Sequence, residues 1–168
     1  MTGAGPPTAT GGPDGAWFRQ VLGHFATGVT VVTAMDDTGP LGVAVSSFTS
    51  VSLDPPLVAI CVNRASATWP RIRATGRFTV NILSADQEAV SRRFASTGGN
   101  RFDGVGWQPS PAGSPVLDGA LAWIDATVEA EHDGGDHLLV VGLVSALDVT
   151  REGAPLVFYR GGYGRFES

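Results

Sequence analysis

Hydroxyl side chains are concentrated in one short segment of the chain. Within residues 46–52, SSFTSVS, four of the seven residues are serine and one is threonine. The hydroxyl groups and backbone N–H groups of such a loop can form a concavity that holds an anion or the polar edge of a heterocycle. Pro55 and Pro56 follow and fix the exit of the loop, because each ring locks φ and removes an N–H donor. The composition also allows a hydroxyl-rich edge strand that runs into a turn.

Several common catalytic motifs are absent from the sequence. No G-x-G-x-x-G follows a strand-like segment, and neither a G-x-x-x-x-G-K-[ST] phosphate loop nor a G-x-S-x-G nucleophile elbow occurs. The three histidines, His24, His132 and His137, do not have the spacing of metal ligands. We therefore expect no metal site, no Rossmann dinucleotide site and no serine nucleophile among the hydroxyls of residues 46–52.

The elements that must position these hydroxyls are mainly strands. A helix is predicted over 16–26 behind Asp14, another over 67–76, and a third after the S-x-x-Q capping box of Ser84 and Gln87. A regular βαβ alternation is missing, so we expect a mainly β chain, an antiparallel barrel with peripheral helices. Segments with the β-branched or alternating pattern of strands lie at 28–35, 41–48, 57–62, 77–83, 120–131, 137–149 and 155–166.

Length and composition limit the classes of protein. A chain of 168 residues with 43% hydrophobic residues is sufficient for one folded domain, which we place at residues 14–168. Residues 1–13 are predicted to be a disordered tail, with no apolar region of a secretory signal. The net charge of −5 argues against nucleic-acid binding, and no apolar run is long enough to span a membrane. The single cysteine, Cys61, excludes an intrachain disulfide, so we expect a cytoplasmic protein.

Six segments in series resemble one known family. In their order and spacing they are similar to the short-chain flavin reductases, whose fold is the FMN-binding split barrel, and the similarity extends over about residues 17–164. One such segment alone would be weak evidence, whereas six in the same order are specific. The segments are FATGVTVVTA, SSFTSVSLDPPLVAICV, FTVNILSADQEAVSRRFA, RFDGVGW, GDH and APLVFYRGGY.

The resemblance implies a function. Members of the family are NAD(P)H:flavin oxidoreductases, which use NADH or NADPH to reduce FMN or FAD and supply the reduced flavin to a partner monooxygenase. A homodimer is also implied, with the flavin in a groove near the subunit interface. In this reaction a hydride passes directly from nicotinamide to flavin, so neither a side-chain nucleophile nor a metal is required. The absence of those motifs is consistent with this chemistry.

The resemblance also implies which residues form the site. The flavin ring would be lined by Ser46, Ser47, Phe48, Thr49, Ser50 and Ser52. The far wall of the flavin site would be formed by Asn81, Ile82, Leu83 and Gln87. The nicotinamide nucleotide would be contacted by His137, Tyr159, Arg160 and Tyr163. The chain departs from the family at GVAVSS, where many members read closer to G-M-T-A-N-S, so that Ser46 replaces an asparagine at the ring edge.

Two other functions remain open at the level of the sequence. A split-barrel protein could bind flavin, or another flat cofactor, as a carrier or sensor without turnover. A related oxidase acting on a phosphorylated pyridine would need more arginine and lysine than this chain supplies. His137 is similarly open, because a histidine that opens a strand is commonly a surface residue. The resemblance instead makes His137 the catalytic contact, which positions the nicotinamide and does not transfer protons.

Overall fold

The computed structural model describes residues 12–166, so that residues 1–11 of the predicted tail lie outside the described part of the chain. The helices are α1 (Gly15–Leu22), α2 (Trp69–Ala74) and α3 (Glu88–Ala95). The strands are β1 (Thr27–Gly28), β2 (Thr30–Asp36), β3 (Gly39–Val45), β4 (Thr49–Leu53), β5 (Pro56–Asn63), β6 (Arg77–Ile82), β7 (Trp107–Pro109), β8 (Pro115–Leu117), β9 (Ala122–Gly134), β10 (His137–Val149), β11 (Leu156–Tyr159) and β12 (Gly162–Arg165).

Seven strands form one antiparallel sheet, in the order β3-β2-β6-β9-β10-β5-β4. The predicted class, mainly β with antiparallel pairing and peripheral helices, is confirmed. The two edge strands, β3 and β4, are consecutive in the chain and are joined by residues 46–48 alone. Because three residues cannot bridge the width of a flat seven-stranded sheet, the sheet must curl until its edges meet. The connection 46–48 therefore lies at an open seam in the curled sheet, which we call the seam.

The concave face of the sheet carries the larger of two hydrophobic cores. Alternation along the strands places Val32, Ile60, Phe78, Val80 and Val140 on this face, and all five are fully buried. Trp69 and Ile72 of α2 pack into the same cluster. The alternating patterns that predicted these strands therefore correspond to one continuous core.

A second cluster covers the convex face of β2, β3 and β6. Phe94 of α3 and Phe102 of the following loop stack edge to face, with ring centroids 5.0 Å apart. Gly42 of β3 lies directly beneath them, since a Cβ atom at this position would be 2.3 Å from Cε1 of Phe94. Strands β7 and β8 form a short hairpin between the strand segments that the sequence predicted at 77–83 and 120–131.

Three local features are decided by the structure where the sequence left them open or gave only part of them. Residues 49–53 form the edge strand β4, which was one of the two alternatives for the hydroxyl-rich segment. The final predicted strand is a hairpin, β11 and β12, with Arg160 and Gly161 at positive φ in its turn. Gln87 accepts the predicted hydrogen bond from the N–H of Ser84, at 3.1 Å, but α3 begins only at Glu88.

Among residues 12–166, no helix is long and apolar enough to cross a membrane.

Candidate active site

The seam is held together by the hydroxyl of Ser47. This hydroxyl donates to the carbonyl of Cys61 at 2.9 Å and accepts from the N–H of Cys61 at 2.8 Å. On β5, pairing with β4 ends at Ala59, so the backbone of Cys61 has no strand partner on that side. The hydroxyl of Ser47 therefore makes the hydrogen bonds that a neighbouring strand would make where the sheet opens. Ser47 contributes to the architecture of the seam, and its hydroxyl is already occupied.

Ser46, the neighbouring residue, has the opposite character. Its side chain is exposed, and within residues 12–166 its hydroxyl has no hydrogen-bond partner. Three cavities share Ser46 in their walls. Their volumes are about 250, 150 and 730 Å³. We name them the β5 cavity, the α3 cavity and the α1 cavity, after the element that each one borders.

His137 lies in the β5 cavity, together with Ser46 and Ser47. As the first residue of β10, it pairs with Asn63 at the end of β5, which brings it to the seam from far along the sequence. Its Nδ1 lies 2.7 Å from Oδ1 of Asp136. This hydrogen bond, together with the charge of the ring, lowers the pKa of the Asp136 carboxyl below 3.8. In the described part of the chain Nε2 of His137 has no partner and remains available to a ligand.

Tyr163 lies in the α3 cavity and is held from three directions. Its hydroxyl is 2.9 Å from Oγ of Ser91, and its ring packs against Phe158 with centroids 5.2 Å apart. The guanidinium of Arg92 lies over the ring at 4.8 Å, while it is paired with Glu88. These contacts fix the tyrosine in one orientation beside Ser46.

Arg160 lies in the α1 cavity, at the tip of the β11–β12 turn. Its backbone N–H donates to the carbonyl of Gly23 at 2.9 Å, which ties the turn to the end of α1. Tyr159 lines none of the three cavities and instead meets the ring of His24 edge-on, at 6.4 Å. Three of the four predicted nicotinamide residues, His137, Tyr163 and Arg160, thus each line one of the cavities that Ser46 also borders.

The remaining residues of the hydroxyl-rich segment lie further along the chain from the seam. Phe48 is partly buried against the main core, and Thr49, Ser50 and Ser52 belong to the edge strand β4. None of these four lines the three cavities around Ser46. The segment is therefore divided: its first two serines lie at the seam and the rest form a sheet edge.

Most of the predicted far wall lies on the opposite side of the sheet from the main core, whereas Ile82 shares the face of Phe78 and Val80. Asn81 is fully buried, accepts from the N–H of Leu117 at 2.8 Å and donates to the carbonyl of Val31 at 3.1 Å. Leu83 belongs to the second core, and Gln87 donates to the carbonyl of Asp118 at 2.9 Å. Neither these residues nor Ile82 line the cavities around Ser46.

Asn81 is one member of a closed set of polar side chains on the convex face. The carboxylate of Asp125 accepts from the hydroxyl of Thr79 and from the N–H of Ala112. Thr33 donates to the carbonyl of Pro115 at 2.6 Å. These bonds pin the segment around the β7–β8 hairpin onto the sheet. We call the fully buried residues Thr33, Thr79, Asn81 and Asp125 the buried polar cluster.

Comparison with known proteins decides the family. The family described as "Flavin reductase like domain" matches residues 22–167. The chain belongs to this family. Its relatives include a flavin reductase from Pseudomonas putida, which is 50% identical over 154 residues, covering 91% of each chain.

Solved structures agree with this assignment to the flavin reductase family. Nitrilotriacetate monooxygenase component B from Mycobacterium thermoresistibile has a TM-score of 0.88 and 49% identity, over 90% of this chain and 86% of that one. The NADH:FAD oxidoreductase SgcE6 of Streptomyces globisporus, in complex with NAD and FAD fragments, has a TM-score of 0.85 and 38% identity. That match covers 92% of this chain and 93% of the other. The family and the split-barrel class predicted from the sequence are confirmed.

Within this flavin reductase fold, the sequence did not indicate several groove residues. Cys61, Asn63 and Ser66 line the β5 cavity, and a separate cavity of about 550 Å³ has Thr68 and Arg101 in its wall. Arg101 donates to the hydroxyl of Thr68 at 3.1 Å and to the carbonyl of Gly42 at 2.7 Å. The signal that could have found them is the polar run of residues 63–68 directly after an apolar strand, because strand ends at a sheet opening tend to carry binding residues.

Proposed function

We propose that the protein is an NAD(P)H:flavin oxidoreductase that transfers a hydride from NADH or NADPH to FMN or FAD and supplies the reduced flavin to a partner monooxygenase. The observation that carries the proposal is the convergence of three cavities on Ser46, each with one of His137, Tyr163 and Arg160 in its wall. Two flat ligands that must touch each other need such a junction of grooves. Membership of the flavin reductase family supports the same conclusion.

The groove offers the groups that this reaction requires. When bound, flavin and nicotinamide supply the redox chemistry themselves, and the protein must align the two rings at about 3–3.5 Å. Ser46 presents an unpaired hydroxyl at the junction, which can hydrogen-bond the polar edge of a flavin ring. His137, held through Nδ1 by Asp136, directs its other ring nitrogen to a ligand and orients the nicotinamide. Tyr163, fixed by Ser91, forms the adjacent wall.

The other predicted flavin and nicotinamide contacts remain part of the proposal, but they would contribute in different ways. Phe48, Thr49, Ser50 and Ser52 continue from the seam along β4 and would meet a flavin that extends in that direction. Tyr159 is exposed beside the α1 cavity. Asn81, Ile82, Leu83 and Gln87 would act only indirectly, since none lines the cavities around Ser46, and the side chains of Asn81 and Gln87 bond the backbone of residues 117 and 118.

We propose that the enzyme is a homodimer whose interface includes the exposed leucines at the ends of β4 and β10. The register sets Leu53 opposite Pro56 and Leu147 opposite Ile124, so both leucines belong to the concave, core-bearing face. Yet Leu53 is 91% exposed and Leu147 is 63% exposed. An apolar face that continues into water is what a second copy would cover. Light scattering should give twice the chain mass, and Leu147→Asp should shift the protein toward a monomer.

The partner and compartment follow from the same proposal. The similar component B of nitrilotriacetate monooxygenase supports a monooxygenase as the recipient of reduced flavin. The single cysteine of the chain supports a cytoplasmic location, where thiols stay reduced.

The deciding experiment follows the absorbance of NADH in the presence of purified protein, with and without added FMN, FAD or riboflavin. Turnover that requires added flavin, and saturates with it, establishes a reductase that uses flavin as a substrate. Turnover by yellow protein without added flavin means that the flavin stays bound. Flavin binding with no turnover, from either NADH or NADPH, would overturn the proposal in favour of a carrier or sensor.

A further inference from the structure

The turn between β9 and β10 leads into His137 and is exposed along its whole length. Residues 132–136 are all exposed, so the hydrophobic cores contribute little to holding the turn in place. Gly135, at a φ of +76°, and Asp136 connect the last residue of β9 to the first residue of β10. That first residue is His137, which lines the β5 cavity. The position of its ring therefore depends on the polar contacts that hold an otherwise exposed turn.

Arg64, which directly follows β5, supplies three such contacts. Its backbone N–H donates to the carbonyl of Asp136 at 3.0 Å, and its Nε donates to the carbonyl of Gly135 at 2.9 Å. A terminal nitrogen of the same guanidinium pairs with the carboxylate of Asp133, near the end of β9. Because a guanidinium is planar, its two bonds fix the carboxylate and the turn carbonyl relative to each other. Arg64 therefore ties the β9–β10 turn to the end of β5.

The backbone that carries Arg64 is itself held in a short turn. Asn63 pairs with His137 at the end of the β5–β10 ladder. The side-chain oxygen of Asn63 accepts from the N–H of Ala65 at 2.8 Å, and its carbonyl accepts from the N–H of Ser66 at 3.0 Å. Asn63 and Ser66 line the β5 cavity, whereas Arg64 does not. We therefore expect Arg64 to act on a ligand in this cavity through its neighbours.

We infer that Arg64 is a positioning residue for the hydride transfer: through the β9–β10 turn it holds His137 where the ring can contact the nicotinamide. The inference deepens the proposed function and rests on it. Nδ1 of His137 is held at 2.7 Å by the carboxylate of Asp136, and the carbonyl of the same aspartate accepts from Arg64. A turn without the Arg64 side chain would let this carboxylate, and with it the ring, occupy several positions. Ordering the ring again on binding would weaken the affinity for the reductant, while the proposed flavin contact at Ser46 would be unaffected.

The first test removes the side chain of Arg64. Arg64→Ala should raise KM for NADH about fivefold, because the ring of His137 is still present but less well placed. KM for flavin should stay within about twofold of the wild-type value. Arg73→Ala is the matched control, since Arg73 pairs at 2.9 Å with Glu131 of the same strand, further from the turn. KM for NADH should be unchanged in this control.

A double-mutant cycle separates positioning from a direct contact with the reductant. In protein that already carries His137→Ala, adding Arg64→Ala should raise KM for NADH by less than about twofold, because no ring remains to be positioned. A direct contact would give the same increase in both backgrounds, and that result would overturn the inference. An unchanged KM for NADH in Arg64→Ala, an equal effect of Arg73→Ala, or an equal rise in KM for flavin would overturn it as well.

A second readout does not depend on turnover. Nitrogen NMR spectra of the imidazole rings should show the signals of His137, assigned by their loss in His137→Ala, shifted or broadened in Arg64→Ala and unchanged in Arg73→Ala. Signals that stay the same in Arg64→Ala would contradict the inference. If they respond to Arg64 in a protein that reduces no flavin, the link between Arg64 and His137 stands and the proposed reductase function falls.

Discussion

The seam and the buried polar cluster are both rich in hydroxyl and amide groups, but they satisfy them differently. In the cluster, Asn81 and Asp125 are fully buried and hydrogen-bonded to the segment that covers them. At the seam, Ser46 is exposed, has no partner in the described chain and borders three cavities. Buried polar groups that are fully paired stabilise and orient a fold, whereas unpaired groups at a cavity are free to bind. The contrast assigns a structural role to the polar groups of the convex face and is consistent with the proposed binding site at the seam.

The largest effect should come from breaking the buried polar cluster. Asn81→Ala removes the acceptor of the N–H of Leu117, which is left buried and unpaired, and it removes the side-chain donor to the carbonyl of Val31, which keeps its partner in the β2–β6 ladder. We expect a loss of about 3 kcal/mol in the free energy of unfolding, measured with urea. Asn100→Ala, at an exposed asparagine that caps the N–H of Phe102, should cost less than about 1 kcal/mol. Equal costs would remove the distinction between the two regions.

A sharper test uses the two adjacent serines of the seam. Ser47→Ala removes both hydrogen bonds to the backbone of Cys61 and should destabilise the fold by about 1–2 kcal/mol. Ser46→Ala removes no internal hydrogen bond, so stability should change by less than about 0.5 kcal/mol while KM for flavin rises. Thermal melting and flavin-dependent NADH oxidation measure the two effects. The contrast fails if Ser46→Ala proves the more destabilising change.

A substitution at His137 tests whether this residue contacts the nicotinamide and not the flavin. His137→Ala should raise KM for NADH about tenfold, the loss of one good hydrogen bond, while flavin binding weakens much less. Steady-state kinetics gives the first quantity, and quenching of flavin fluorescence gives the second. Asp136→Asn, which leaves the ring in place and removes the carboxylate that holds it, should have a smaller effect of the same kind. Equal losses for both ligands would indicate a structural role for His137.

The smallest expected effect lies outside both regions, at Asp36. Hydrogen bonds from Thr38, and the guanidinium of Arg71, hold the pKa of the Asp36 carboxyl below 3.8. Because the folded pKa is the lower one, the stabilisation is present above pH 3.8 and is lost as the pH falls through the folded value. Melting temperatures of wild type and Asp36→Asn should therefore differ at neutral pH and converge in acid. Asp37→Asn removes the same charge from the next residue and serves as the control.

Local pattern was sufficient for most of the fold. Alternating apolar residues indicated β6, β9 and β10, because every second side chain of a strand with one buried face must be apolar. The series of six motifs indicated the flavin reductase family before any contact was known. Single residues predicted the ends of elements less well. Helix α3 begins four residues after Ser84 of its predicted capping box, because the hydroxyl of Ser84 instead bonds the carbonyl of Gly119.

The sequence by itself determined that this is an antiparallel β protein of the flavin reductase family, and it predicted a hydroxyl-rich segment for its site. Only the tertiary structure decided which of those hydroxyls are free. Ser46 and Ser47 are identical in sequence terms, yet one faces three cavities and the other is occupied by the backbone of Cys61. That difference depends on where β4 stops pairing with β5, and on the curl of the sheet that gives Ser46 a place in the walls of three cavities. Partners so distant along the chain leave no local pattern, because they meet only when the sheet closes.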